Sequence, residues 1–408
     1  MTIKFSSKEI HFLKTDSDDF NIKPPETYFS DLLLTGTVQI NAFEKRLSRA
    51  KIPGDKFICA VIQLSKNASE SCLERARDTF EATFNSFLDH ERGIWESLDE
   101  TSFVLSFWDY KTEEKASRLI LSLKKKISAS LGSDILVGVA KFPCHDFSKS
   151  QTLANALKAI DHAAFFGPDT LIHFDAVSLN ICGDRLYQLN QCDLAIKEYQ
   201  TGLDIKPHDI NLINSLGVCF GIMGELDKAR LQFETAMKIN PNELMVIYNI
   251  GLLYQIDENL DKAILYLRKA HGIDDQVFEV ELLLGHLLFK KGRLDQALPH
   301  IETAARMNPR SGLAFRIKGE ILLARNHPKK AGLEFNTAIK LNPADATSLS
   351  GYAKSLELQE KNLKIALSFA KNSTALEPDN TLFQERLNSI LEKIEENTLQ
   401  PEDTIKTA

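Results

Sequence analysis

The chain has 408 residues, 43% of them hydrophobic and 26% charged, which leaves room for two or three domains of an ordinary globular protein. Its net charge is −7, and acids outnumber bases in both halves, so the basic footprint of a nucleic-acid-binding protein is excluded. We find no secretory apolar segment and no apolar run of the roughly 20 residues that cross a bilayer. The six cysteines form no C-x-x-C pair, so we expect reduced thiols in a cytoplasmic protein that binds neither nucleic acid nor membrane.

Residues 1–30 form an N-terminal extension, and strand-like and helical patterns alternate over 31–175. The apolar runs FICAVIQL and DILVGVAKF predict buried strands, and GIWESL and SFVLSF predict a hairpin around Asp99–Thr101. Helices are predicted over 70–90, from Thr112 with its two early glutamates, and over QTLANALKAIDHAAFF, which ends at Gly167. TLIHF supplies a last strand. The order helix–β–α–β–β–α–β–α–β predicts a ferredoxin-like α/β domain.

The opening segment DLLLTGTVQINAFEKRL is similar to the first signature of diguanylate cyclase, or GGDEF, domains. Its matching residues are Leu34, Thr35, Gly36, Phe43 and Leu47. ILVGVAKFP resembles the late strand of that family, and AIDHAAFFGPDTLIHFD resembles its final helix, glycine and strand. The resemblance covers about residues 31–175 and implies a GGDEF-type fold.

The same resemblance implies that the catalytic chemistry is lost. Asp99 and Glu100 stand where the family has two glycines beside the triphosphate, and Thr101 replaces a metal-binding acid. The metal-binding aspartate of the first strand falls at Gln63. Two-metal chemistry needs carboxylates, which neither Gln63 nor Thr101 supplies. We therefore predict a degenerate domain that is not an enzyme, with no catalytic residue, no cofactor and no metal.

Three other groups of polar residues are interpreted without a catalytic role. Cys144-His145-Asp146 reads as a polar loop, because three adjacent side chains cannot converge on one ion. Asp161-His162 reads as structural or exposed, and Lys124-Lys125-Lys126 as a solvated helix face. The ten histidines include no H-x-x-x-H pair.

The second half of the chain repeats with a period of 34 residues. Prolines recur in that register, with Asp275 in the place of one of them: Pro207, Pro241, Pro309, Pro343 and Pro378. Alanine stands twelve residues before each of these positions: Ala195, Ala229, Ala263, Ala297, Ala331 and Ala366. Glycine stands twenty-four before in the first five units, and Ala353 takes that role in the sixth: Gly183, Gly217, Gly251, Gly285 and Gly319. Each unit is predicted to be a helical hairpin in which the small residues allow close approach and the proline ends the second helix.

This pattern resembles the tetratricopeptide repeat family. The resemblance implies an α-helical superhelix of six repeats over 176–380, a capping helix over 381–396 and a flexible tail over 397–408, so the whole chain is α/β followed by all-α. The first helix of each hairpin would line a groove. Its expected partner-binding residues are Asn180, Tyr187, Asn211, Asn214, Tyr248, Gln255, His286, Phe289, Arg316 and Glu320.

Asparagines and aromatics suit an extended peptide, so the function that we predict is a scaffold or adaptor whose groove binds a protein or peptide. The degenerate domain would serve in docking or dimerisation, so a homodimer stays open. An alternative is a signalling sensor of a nucleotide or cyclic dinucleotide. An active nucleotide cyclase is the least favoured of the three.

Overall fold

The N-terminal region folds as a small α/β layer structure. The structure is a computed structural model and describes residues 28–36, 38–65, 68, 70–87, 92–108 and 110–399. A 3-10 turn at Phe29–Asp31 precedes the first elements. In chain order these are α1 Leu32–Thr35, α2 Val38–Arg49, β1 Phe57–Leu64, α3 Glu70–Phe87, β2 Gly93–Ser97, β3 Ser102–Trp108, α4 Glu113–Leu131, β4 Ile135–Phe142, α5 Gln151–Phe165 and β5 Leu171–His173.

The five strands form one sheet in the order β2-β3-β1-β4-β5. Strand β1 lies at the centre and pairs antiparallel with both β3 and β4, while β5 pairs parallel with β4 at one edge. Every residue of β1 except Gln63 is buried, which explains its nearly continuous apolar sequence.

Alternate residues of β1 pack on opposite faces of the sheet. Ile58 and Ile62 belong to a core shared with α3 and α4, whereas Cys59 and Val61 belong to a core shared with α2 and α5. The helix start predicted at Thr112 is present, since its hydroxyl oxygen accepts a hydrogen bond from the backbone N–H of Lys115 at 3.2 Å.

The segment that carries the first signature is divided at Gly36, where the backbone adopts a positive φ of 62°, so α1 and α2 are separate helices. One local expectation needs correction. The basic run is not wholly solvated, because Lys124 is 8% exposed and its ammonium group contacts the carboxylate of Asp169 at 2.5 Å. A turn that is distant in sequence therefore supplies the counter-charge that lets one lysine of the run be buried.

The first two helical hairpins belong to the same compact unit as the sheet. This unit ends at Pro241, and its hairpins are α6 Ala176–Gln188 with α7 Cys192–Ile205 and α8 Ile210–Ile222 with α9 Leu226–Ile239. A Cβ atom added to Gly217 would lie 2.6 Å from the ring of Phe233, so the glycine is what lets the two helices of that hairpin approach.

Helix α5 of the α/β region packs against the first hairpin through charged contacts. Arg185 of α6 donates to both carboxylate oxygens of Asp31, at 3.0 and 2.6 Å, and Lys158 of α5 pairs with Glu198 of α7 at 2.7 Å. Asp161 accepts hydrogen bonds from the backbone N–H groups of Phe29 and Ser30, at 2.5 and 2.9 Å. The segment that precedes α1 is thus bound to the helix that borders the hairpins.

The second compact unit runs from Asn242 and contains four further hairpins and a final helix. Its elements are α10 Leu244–Ile256, α11 Leu260–Ile273, α12 Phe278–Lys290, α13 Leu294–Met307, α14 Gly312–Ala324, α15 Pro328–Leu341, α16 Ala346–Leu358, α17 Leu363–Leu376 and α18 Thr381–Leu399. The predicted capping helix is present but extends to Leu399. Of the predicted tail, residues 400–408 lie outside the described part of the chain.

Within the second unit the small residues of the repeat pattern lie at helix contacts. Added Cβ atoms at Gly285 and Gly319 would lie 2.6 Å from Ile301 and 2.8 Å from Phe335, in the partner helix of the same hairpin. In the last hairpin Ala353 and Ala366 share one buried cluster. The helices that begin each hairpin here, α10, α12, α14 and α16, are called the A helices below, and their partners the B helices.

None of the helices in the described ranges is both long and apolar enough to cross a membrane.

Candidate functional site

The hairpin turn between β2 and β3 lies beside the end of β1. Gln63 is opposite Ser102 in the sheet register, and the backbone N–H of Leu64 donates to the carbonyl of Thr101 at 2.9 Å. The carboxylate of Asp99 accepts hydrogen bonds from the backbone N–H and hydroxyl of Thr101, at 2.7 and 2.8 Å, so it is engaged within its own turn. The positions that were compared with metal-binding acids are therefore adjacent in space, and they carry an amide and a hydroxyl.

The other polar groups of the α/β region take part in local contacts. In the loop after β4, a ring nitrogen of His145 lies 3.2 Å from the carbonyl oxygen of Asp204, while Asp146 is fully exposed. His162 is 5% exposed and contacts the hydroxyl of Ser178 at 3.2 Å. Burial raises the pKa of the Asp161 carboxyl to about 7, against the opposing effect of the N–H groups that it accepts from.

The four predicted groove residues of the first unit differ in accessibility. Asn180 and Asn214 are buried, at 7% and 8% exposure, while Tyr187 is half-buried and Asn211 is exposed. The Asn180 amide nitrogen lies 3.4 Å from a carboxylate oxygen of Asp184, and the amide oxygen has no hydrogen-bond partner in the described part of the chain. The four residues lie on α6 and α8, the first helices of their hairpins, but two of these side chains offer little surface to a partner.

The predicted groove residues of the second unit lie on α10, α12 and α14, and all but Tyr248 are half-buried. Tyr248 is 6% exposed, and burial raises the pKa of its hydroxyl. Gln255, His286 and Phe289 are half-buried. Burial, together with Lys290 and Arg316, lowers the pKa of His286 to about 4, so its imidazole is neutral at neutral pH.

Four polar side chains on α12, α14 and α18 influence one another electrostatically, and we call them the charged row: His286, Arg316, Glu320 and Arg386. Arg316 donates to the carboxylate of Asp345 at 3.1 Å and acts electrostatically on both His286 and Glu320. Burial raises the pKa of Glu320, while Arg316 and Arg386 oppose that increase. The row brings together three of the residues predicted from sequence and adds one from α18.

Arg386 is the member of the charged row that is least satisfied by the protein. Burial lowers the pKa of its guanidinium, and Glu320 and Glu357 only partly offset the effect. It donates to the hydroxyl of Ser350 at 3.1 Å, and no carboxylate in the described ranges lies within ion-pair distance of it. A half-buried guanidinium with one neutral partner can donate hydrogen bonds to a carboxylate or carbonyl oxygen of a bound segment.

A buried carboxylate anchors α18 beside this row. Glu357 is 1% exposed and is contacted by Lys354 of its own helix and by Lys393 and Ser389 of α18, at 2.7, 3.0 and 2.9 Å. Burial alone would raise the pKa of Glu357, but the contacts with Lys354, Lys393 and Ser389 outweigh it, so the pKa is lowered.

Sequence reasoning missed Arg386 because it treated α18 as a polar-faced cap. The apolar stripe of that helix is Phe383, Leu387, Ile390 and Ile394, at helical spacing. Arg386 lies three residues after Phe383 and four before Ile390, and therefore on the side that packs inward. A cation inside an apolar stripe is the signal that could have identified it.

Part of the helical region matches a known family of repeats. The family model described as "Tetratricopeptide repeat" matches residues 246–276 and 282–359, which confirms the predicted repeats there. No curated protein matches the sequence. The described part of the chain is thus mostly helical, with tetratricopeptide repeats over the matched residues and a small N-terminal α/β region.

Several solved structures of repeat proteins resemble the chain at low identity. YrrB, described as a tetratricopeptide repeat protein with an unusual peptide-binding site, is 18% identical over 46% of this chain and 96% of its own, with a TM-score of 0.42. Pseudomonas aeruginosa pilF is 18% identical over 52% and 95%, with a TM-score of 0.48. The hetero-tetramer Cut9-Hcn1 of the APC/C is 16% identical over 69% and 57%, with a TM-score of 0.45. At these scores the likenesses support no conclusion about function, and none of the comparisons supplies evidence for the cyclase resemblance of residues 31–175.

Proposed function

We propose that the protein is a non-catalytic interaction scaffold whose second unit binds a partner protein across its A helices. The observation that carries this proposal is the charged row, in which Arg386 is half-buried with only a neutral hydroxyl as its hydrogen-bond partner. Removing a guanidinium from water without a matching anion costs free energy, and a bound carboxylate recovers it. The partner surface that fits is an extended segment with an acidic side chain near Arg386.

The neighbouring residues suit the same kind of ligand. The neutral imidazole of His286 can exchange hydrogen bonds with a peptide backbone, and the half-buried ring of Phe289 offers apolar contact. Arg316 is already paired with Asp345, so it does not supply an unpaired charge to a ligand. The charged row and Phe289 therefore combine one cationic hydrogen-bond donor, Arg386, with weaker polar and aromatic contacts.

Site-specific photocrosslinking of the full-length chain tests the proposal. A photoreactive residue is introduced at Gln255 or Phe289 on the A helices, and in matched controls at Leu265 or Leu333, which lie on B helices and are each 65% exposed. We expect discrete adducts with a second protein from the A-helix positions, and we expect Glu385→Gln to leave them unchanged while Arg386→Gln removes them. Glu385 is the exposed neighbour of Arg386 on the same helix.

The controls are demanding because they are apolar positions that are more exposed than the tested ones. Adducts that form equally from Leu265 and Leu333 would show non-specific association and would refute the assignment of the binding face. Circular dichroism of each variant confirms that the helices are retained, so that a loss of adducts reports on contact rather than on unfolding.

We further propose that residues 31–175 are a catalytically inactive relative of the GGDEF domain that caps the repeats and serves in docking or dimerisation. The element order β-α-β-β-α-β and the sheet order β2-β3-β1-β4 support it, because they are those of the ferredoxin-like motif. The residue types at Gln63 and Thr101, whose backbones are adjacent in the sheet, support the inactive state, since neither side chain is a carboxylate ligand for Mg²⁺.

This second proposal has its own experiments. Incubation of the full-length protein with GTP and Mn²⁺ should give no cyclic product, and any product would overturn it. Calorimetry with GTP and with a cyclic dinucleotide separates a scaffold from the alternative of a nucleotide sensor, because only the sensor releases binding heat. Light scattering decides between a monomer and a homodimer.

The remaining sequence predictions stay proposals within this framework. We assign Asn180, Tyr187, Asn211 and Asn214 a secondary role, since the two asparagines that are buried can act only after a side-chain rearrangement. The boundary proposed at 175/176 follows the repeat register, whereas the two compact units divide between Pro241 and Asn242.

A further inference from the structure

Three helices of the second unit bring together two histidines and a glutamate that the sequence pattern does not connect. His271 lies at the end of α11, Glu281 on α12 and His300 on α13. One ligand atom from each residue, either a ring nitrogen or a carboxylate oxygen, lies within 4.8 Å of the other two. In the described ranges no other group of three such side chains is spaced closely enough to hold a metal ion.

The geometry of this cluster is well suited to coordination. The Nδ1 atom of His271 lies 2.5 Å from Oε1 of Glu281, and Nδ1 of His300 lies 2.8 Å from Oε2. The two imidazole rings are perpendicular, with centroids 4.9 Å apart. Two nitrogens and a carboxylate thus face a common point, and modest side-chain rotation would bring all three to the roughly 2.0–2.2 Å at which zinc binds these ligands.

Accessibility separates a buried anchor from an open entrance. The Glu281 side chain is 2% exposed, that of His300 is 19% exposed and that of His271 is 38% exposed. The carboxylate is therefore fixed inside the structure, while an ion can enter past His271. Two imidazoles and one carboxylate leave one tetrahedral position for water, which is the ligand set of open zinc sites.

We propose that His271, Glu281 and His300 bind a Zn²⁺ ion, with water as the fourth ligand. In the structure each Nδ1–H can donate to Glu281, so binding requires that each neutral imidazole carry its proton on Nε2 instead. The ion then takes the place of the two Nδ1 protons between the rings and the carboxylate. Because α11 belongs to one hairpin and α12 and α13 to the next, the ion links two successive repeats.

The competing interpretation is a hydrogen-bonded His–Glu–His network with no ion. Both interpretations predict that substitution of the three residues lowers stability. Only the zinc site predicts that added Zn²⁺ raises the melting temperature and that this increase depends on the three side chains. The experiment is therefore built on the response to zinc, and not on stability alone.

Full-length protein is treated with a chelator, dialysed and titrated with Zn²⁺, with calorimetry for stoichiometry and affinity and thermal unfolding for stability. The variants are His271→Gln, His300→Gln and Glu281→Gln, and the control is His327→Gln, an exposed histidine of the same unit. We expect one Zn²⁺ per chain and a higher melting temperature. Loss of a residue that only orients a metal ligand already weakens metal binding by about 10–100-fold, so loss of a ligand itself should weaken Zn²⁺ binding at least ~100-fold. His327→Gln should behave as the wild type.

Cobalt substitution distinguishes this site from the six free thiols. Co²⁺ bound to nitrogen and oxygen gives tetrahedral visible absorption without a thiolate charge-transfer band, and His300→Gln should abolish that absorption. The proposal is overturned if Zn²⁺ leaves the wild-type melting temperature unchanged, if the ligand variants retain the wild-type response, or if the cobalt spectrum shows thiolate ligation. Circular dichroism of the metal-free variants shows whether they are folded. Glu281→Gln keeps the shape of the side chain, so a loss of Zn²⁺ binding in this variant is not explained by a packing defect.

Discussion

Three glycines of the second unit provide a graded test of how the hairpins pack, because each lies in a helix and meets a different amount of free space. A Cβ atom at Gly285 would lie 2.6 and 2.7 Å from two carbons of Ile301 and 3.2 Å from the carbonyl oxygen of Ala297. At Gly251 the nearest atom would be Cγ of Leu267 at 3.2 Å, and at Gly272 nothing lies within 4 Å. All three are replaced by alanine.

Two opposing effects set the magnitude. Alanine in place of a helical glycine stabilises by roughly 0.5–1 kcal/mol. Carbon atoms prefer separations of about 3.5–4.0 Å, so the new methyl group at position 285 overlaps Ile301 by about 1 Å, and overpacking of this kind costs about 1–3 kcal/mol. We therefore expect Gly285→Ala to destabilise by about 1–2 kcal/mol, Gly251→Ala to be neutral within about 0.5 kcal/mol, and Gly272→Ala to stabilise by up to about 1 kcal/mol.

Urea unfolding followed by circular dichroism measures the order of the three midpoints. A double-mutant cycle identifies the cause: in an Ile301→Ala background the methyl group has room, so Gly285→Ala should cost at least about 1 kcal/mol less than in the wild type. The reasoning is refuted if Gly285→Ala costs the same in both backgrounds, or if Gly251→Ala costs as much as Gly285→Ala.

Three further predictions concern other parts of the chain. In Gly138→Ala the new Cβ would meet backbone atoms of α5, among them Cα of Ile160 at 2.7 Å, so we expect a loss of about 3 kcal/mol or more in unfolding experiments. Gly272→Ala, at a helical position with nothing within 4 Å, is the folded reference. Glu357→Gln should cost about 1.5–3 kcal/mol at neutral pH. The contacts of Glu357 hold its folded-state pKa below the usual glutamate value of 4.5. The difference in stability between wild type and variant should therefore vanish as the pH falls through that folded-state pKa, and a constant difference down to strong acid would contradict it. The pKa of Asp161 is raised from 3.8 to about 7, so the protonated carboxyl contributes fully to stability below pH 3.8, and this contribution is lost as the pH rises through about 7. Asp161→Asn should therefore flatten the decline in stability that the wild type shows between these pH values, and parallel pH profiles of the two proteins would rule this prediction out.

The parts of the fold that follow from sequence are those with a periodic cause. A glycine, an alanine and a large apolar residue recur at one spacing because the two helices of each hairpin pack against each other in the same way. In the structure Gly319 accordingly lies against Phe335. The strands of the α/β region were identified for a similar reason, since a central strand buried on both faces must be apolar throughout.

The candidate sites are harder to predict from the sequence, because the contacts that form them do not follow the repeat period. The register of an A helix identifies which face a residue lies on but not how deeply its neighbours cover it, so Asn180 and Tyr248 were expected at a surface and are buried. His271, Glu281 and His300 lie on three different helices at unrelated positions of the repeat, and only the packing of two hairpins brings them together. Lys124 likewise is buried because of Asp169, 45 residues away.

The final helix connects stability with the proposed binding face. Helix α18 is fixed to α16 by the contacts of Lys393 and Ser389 with Glu357, and it also carries Arg386, the least satisfied member of the charged row. A partner that pairs with Arg386 binds only when α18 is packed against its neighbours. Partner binding and the packing of α18 are therefore coupled: binding stabilises the packed helix, and detachment of the helix weakens binding by the same free energy. Glu357→Gln removes the charge that holds α18 to α16, so we expect it to reduce crosslinking from Phe289 although Glu357 and Phe289 lie on different helices. If the partner does not contact α18, the wild type and Glu357→Gln will give equal amounts of adduct.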